Sequence, residues 1–174
     1  MGGSAAVSNL ESGWEMRRTP GILAVIVATL VVAPAALGAE QTREGYVAAV
    51  EPICERDTLR SQKILSGAQE RIKDQKLVPA GRQFLRVSET FGGAVRKLIA
   101  VPRPPADEAR LQKWFEFLRI VQSRMRDLGK LLIAEERIKA THASIKLERS
   151  SNAANNVSFV FGFRYCRLSR SRFG

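Results

Sequence analysis

Apolar and polar positions follow one another in blocks whose periods differ. The first block, Ile22 to Val32, is apolar throughout except at Thr29. Arg17 and Arg18 precede it, and Pro34, Ala35, Ala36, Gly38 and Ala39 follow it. A positive start, an apolar run and a small-residue exit are the order of a secretory signal. The reading is a signal over residues 16–39 cut after Ala39, with Ala33-Pro34-Ala35 as a rival cut site. The alternative is an uncleaved anchor, because Gly21 to Ala39 approaches the ~20 apolar residues of a spanning helix. No cysteine follows the small residues, so lipid attachment is not indicated. Residues 1–15 form a polar lead unusual for a signal, and Met16 is an alternative start. Met1-Gly2-Gly3-Ser4 opens like a myristoylation site, but Ala6 stands where that motif needs Ser or Thr.

From Thr42 the period becomes helical. Thr42 is a good N-cap, with Glu44 in the first turn. Val47, Val50, Ile53, Cys54, Asp57, Ser61, Ile64, Ala68 and Ile72 recur at spacings of three and four, which predicts one helix. Pro52 removes a backbone donor and should kink that helix or restart it. Gln75 to Pro79 closes the segment. A second helix is expected over Pro79–Ala100, with Phe84, Ser88, Phe91, Val95 and Leu98 on one face. Gly92-Gly93 weakens its middle by roughly 1 kcal/mol per glycine, which suggests close approach of a neighbouring helix.

Val101-Pro102-Arg103-Pro104-Pro105 reads as a stiff linker. A third helix starts at Pro105 or Ala106, with Asp107 and Glu108 in its first turn. Leu111, Trp114, Phe115, Leu118, Val121, Met125, Leu128 and Leu132 make the clearest stripe in the chain. Trp114-Phe115 therefore reads as core rather than a ligand box. Gly129 either ends this helix or is tolerated within it. Ile138, His142 and Ile145 continue a helical period. Glu148 to Asn156 is polar, and Val157 to Phe161 alternates as a strand would.

Composition changes the picture in three ways. Of 174 residues, 45% are hydrophobic and 26% charged, which is ordinary globular usage and fits one core in residues 40–174. The net charge is +11, and because Arg17 and Arg18 cancel Glu11 and Glu15, the excess falls beyond residue 39. Such a surface attracts polyanions; for an exported chain the expected partners are anionic lipid, a charged wall polymer or an envelope protein, and no nucleic acid is expected. The two cysteines, Cys54 and Cys166, suggest a bridge in an oxidising compartment, the alternative being two thiols.

Chemistry is sparse. His142 is the only histidine, and no G-x-S-x-G elbow or Gly-rich phosphate loop is present. One histidine and paired cysteines cannot supply a zinc site. Glu135 and Glu136, adjacent on a helix, would point apart. No catalytic, cofactor-binding or metal residue is nominated, and no cofactor is expected. The pointed charge cluster is Arg164, Arg167, Arg170 and Arg172, interleaved with Phe163, Tyr165, Leu168 and Phe173. Arginines among aromatics suit an anionic surface, so these four are the candidate anion-binding residues.

Tyr46-Val47-Ala48-Ala49-Val50-Glu51-Pro52-Ile53-Cys54, the 101–105 linker and Phe161-Gly162-Phe163-Arg164-Tyr165-Cys166 occur in an order that resembles a group of uncharacterised secreted helical proteins of actinobacteria. Pro52 and the tail beyond Cys166 depart from that pattern. The resemblance carries no known activity. It implies a helical bundle, a Cys54–Cys166 disulfide, and a helical Asn155 to Phe161 stopped by a left-handed Gly162. In an antiparallel up-down four-helix bundle the start of the first helix and the end of the fourth share one end, where the cysteines can meet. The expected layout is an extension (1–15), a signal or anchor helix (16–39), an all-α bundle (40–166) closed by one disulfide, and a basic tail (167–174). The expected role is an exported, non-catalytic interaction module, with alternatives of a basic-tail binder of anionic membrane or wall polymer and an enzyme with an unrecognised site. The protein would be secreted, or anchored through residues 21–39.

Overall fold

The structure is a computed structural model, and it describes residues 40–168. The export segment expected at 16–39, the extension at 1–15, and Arg170 and Arg172 lie outside the described residues. The described residues are all-helical: α1 (Arg43–Leu65), α2 (Ala68–Lys73), α3 (Leu77–Ala100), a 3-10 turn (Pro105–Asp107), α4 (Glu108–Ile133), α5 (Arg137–Ser158) and a second 3-10 turn (Phe159–Phe161).

Thr42 caps α1, its Oγ1 accepting from the Gly45 N–H at 3.0 Å. The helix neither stops nor restarts at Pro52. Its true stop is Gly67, in the left-handed region at φ 70°, so the single helix expected as far as Ile72 is two. Gln83 of α3, buried, closes the broken end: its Nε2 donates to the carbonyls of Ile64 (2.7 Å) and Ser66 (3.0 Å), the orphan acceptors of a helix terminus. Helix α3 begins two residues ahead of expectation, with Pro79 in its first turn, where a missing N–H costs nothing.

Helix α3 packs on α4, α4 on α5, and α1 on α3. A Cβ added at Gly81 would lie 2.6 Å from the Gly129 carbonyl oxygen and 2.8 Å from Ile133, and one at Gly92 would strike the Gln122 amide. Residue order on α3 thus reverses against α4. Of the Gly92-Gly93 pair, only Gly92 serves close approach; a Cβ on Gly93 would meet nothing nearer than 3.9 Å. Gly129 lies inside α4 and is the other side of the Gly81 approach: a Cβ on it would lie 2.9 Å from the Gly81 carbonyl oxygen.

The α4 stripe is buried as expected, with Trp114 and Phe115 at its heart. Helix α5 differs. Ile138 is 76% exposed and Ile145 43%, and His142 is exposed too. The buried face is Ala140, Ala143, Leu147, Ser151, Ala154 and Ser158, also at spacings of three and four but built of small residues. Small side chains let α5 lie close on α4, so the large aliphatics turn outward. Val157 to Phe161 is not a strand. It ends α5 and forms the 3-10 turn, and Gly162 at φ 65° stops it.

Candidate functional site

Among the described residues no three His, Cys, Asp or Glu side chains gather as a metal site. Cys54 and Cys166 form a disulfide across 112 residues with Cα atoms 4.9 Å apart, and both are buried. Glu135 and Glu136 are not on a helix; they occupy the turn between α4 and α5, Glu135 at φ 56° and Glu136 as the N-cap of α5, paired with Lys139. No helix of the described residues is long and apolar enough to cross a membrane.

Residues 163–168 are pinned rather than loose. The Glu51 carboxylate on α1 accepts from the Arg164 N–H at 2.7 Å and from the Tyr165 N–H at 2.9 Å. The Asn155 amide pairs with both main-chain groups of Leu168, each at 2.7 Å. Phe163 lies between Trp114 (5.1 Å) and Phe161 (5.2 Å, stacked), and Leu168 is buried, so packing extends two residues beyond Cys166.

This hook holds a set of arginines against rings. Arg164 lies over Tyr165 at 5.0 Å, Arg167 over Phe159 at 5.9 Å, and Arg43 over Phe161 at 5.6 Å. Arg43 is engaged: Nε and Nη2 donate to the buried Asp107 carboxylate at 2.8 and 2.6 Å, and Arg110 stands 3.6 Å from the same group. Those hydrogen bonds hold the Asp107 carboxyl below the usual carboxylate range and raise the Arg43 guanidinium. Arg164 and Arg167, in contrast, make no ion pair among the described residues. Beside them Phe159 is 69% and Val160 46% exposed. Two arginines without an ion pair among the described residues thus follow an exposed apolar pair on one short stretch.

Of the four arginines nominated by the sequence, the structure places Arg167 over the exposed Phe159 ring and Arg164 over Tyr165. The contribution of Phe159 and Val160 was hidden by reading them as a strand. Arg43, Asp107 and Glu51 carried no local signal, because their partners lie 64 to 114 residues away in sequence. No protein-family model, curated protein or solved structure matches this chain.

Proposed function

We propose that this chain is an exported, non-catalytic helical interaction module that docks on an anionic membrane through Phe159, Val160, Arg164 and Arg167. The observation that carries the reading is the exposed Phe159 ring beneath the unpaired Arg167. An aromatic ring inserts at the headgroup boundary while a guanidinium meets lipid phosphate. The buried disulfide is consistent with an oxidising compartment. The signal-like segment at 16–39 supports export. A retained anchor would tether the domain to the bilayer; a cleaved signal would leave docking to this surface alone. The resemblance to secreted two-cysteine helical proteins belongs to the same proposal.

We read the helices as an antiparallel up-down bundle. Gln83 meets the end of α1 at Ile64, while the Cys54 region shares a small cavity with Phe91 and Leu98 further along α3, as reversed order requires. Sedimentation with phosphatidylglycerol vesicles should recover the oxidised full chain at low salt and less of it at high salt, with little binding to phosphatidylcholine. Arg164→Gln and Arg167→Gln should each weaken binding about fivefold, at ~1 kcal/mol per surface arginine. Phe159→Ser should weaken it further. Binding unchanged in the triple variant would sink the membrane reading. A reproducible hydrolytic or transferase activity would end the non-catalytic one. Intact mass of the exported species separates cleavage before Glu40 from a retained anchor.

A further inference from the structure

A cleft of about 390 Å³ opens where the α2–α3 and α4–α5 turns meet. Leu77, Phe84, Leu128, Leu132 and Ala140 line its floor. Its volume falls at the lower end of the ~300–1,000 Å³ typical of small-molecule sites. The cleft lies along the first turns of α5, as far as Ser144, whereas Phe159 follows its C-terminus; 15 residues at 1.5 Å each separate the two by roughly 22 Å.

The rim is cationic. Lys73 and Arg137 both border the cleft, both are exposed, and neither pairs with a carboxylate among the described residues. Gln75 steers one of them: its Oε1 accepts from Arg137 Nη2 at 2.8 Å. Gln75 does so from the left-handed region, at φ 64°, a position a glycine would take at less cost. Helices α3 and α5 start at the same rim. Helix α3 has Lys76 as its N-cap and no acidic residue in its first turn, so its positive dipole end adds to the rim charge, whereas the start of α5 carries Glu136, which is paired with Lys139.

We propose that this cleft binds a single-chain amphiphile with an anionic head, a fatty-acid-like carboxylate, its tail on the Phe84–Leu132 floor and its carboxylate at Arg137 and Lys73. A partner helix, 10–12 Å across with its side chains, would fill about 390 Å³ with roughly one turn. A wholly polar anion would leave the apolar floor uncovered. The site stands apart from the membrane-docking surface and does not depend on it.

The test is calorimetric titration of the oxidised full chain with sodium dodecanoate below its micelle concentration. Saturable one-to-one binding is expected, with dodecyltrimethylammonium failing to bind. The Lys73→Gln/Arg137→Gln double variant should weaken dodecanoate about tenfold, as loss of charge-assisted hydrogen bonds implies, while leaving dodecanol unchanged. Ser144→Trp, an exposed position on the cleft wall, should obstruct both ligands without disturbing the fold. Arg164→Gln/Arg167→Gln should bind dodecanoate as the parent does. Absent or non-saturable uptake, equal binding of the cationic amphiphile, or unchanged affinity in both cleft variants would overturn the proposal. Loss of binding in the Arg164/Arg167 variant would do the same by moving the ligand to the other end.

Discussion

Asp107 shows how single contacts set the response of this protein to acid. Its buried carboxylate receives two hydrogen bonds from Arg43, and its proton affinity is depressed as a result. The unfolded chain, lacking Arg43 at that place, binds a proton there more readily. Stability from this pair is therefore complete above the ordinary aspartate range and lost as pH falls through the depressed value. Thermal melts between about pH 5 and 2 should show the parent losing its midpoint. Asp107→Asn should start lower at neutral pH and flatten over the same window; equal slopes would show that other carboxylates carry the acid response. The exchange matters beyond itself, because Arg43 also lies over Phe161, at the base of the 3-10 turn that presents Phe159.

Among the elements, the paired glycines separate packing from accident. Gly81→Ala forces a Cβ onto the backbone of α4 and should cost about 1–3 kcal/mol by overpacking. Gly93→Ala, with open space and a helical backbone, should add about 0.5–1 kcal/mol. Urea midpoints of the two variants should move in opposite directions, and a shift of the same sign would refute this picture of the α3–α4 contact. Sequence could see that glycine density on the second helix meant contact, but not which glycine made it. The Leu111–Leu132 stripe was legible because large apolar groups recur at helical spacing. Helix α5 was read in the wrong phase for the same reason. Its buried face is alanine and serine, whose weak hydrophobicity gives no periodic signal, while Ile138 and Ile145 are large and exposed. Gly67 gives no signal in the sequence, because apolar spacing runs across it undisturbed; only its left-handed backbone marks the break. Of the candidate surface, the arginines are legible as charge, and the hook that orients them is not, since Glu51 reaches it across 113 and 114 residues.

On the scale of the whole molecule the disulfide sets the balance. Closing 112 residues removes unfolded-state freedom worth roughly 4–5 kcal/mol in the chain-entropy treatment. Cys54→Ser/Cys166→Ser should lower unfolding stability by about that much and loosen the hook that carries Arg164 and Arg167. Hydrogen exchange at residues 162–168 should rise well before exchange in α3 and α4; uniform exchange would mean the hook holds without its bridge. The same bond also decides where a mechanical load would travel. Tension applied between the two ends of the chain passes along residues 43–54, through the sulfurs, and out past residue 166. Everything from 55 to 165 stands outside that line, shielded as a slack loop behind a clasp. Stretched as a single molecule, the oxidised chain should yield only the residues outside that loop, and adding reductant should release roughly 380 Å of further contour from the 111 hidden residues.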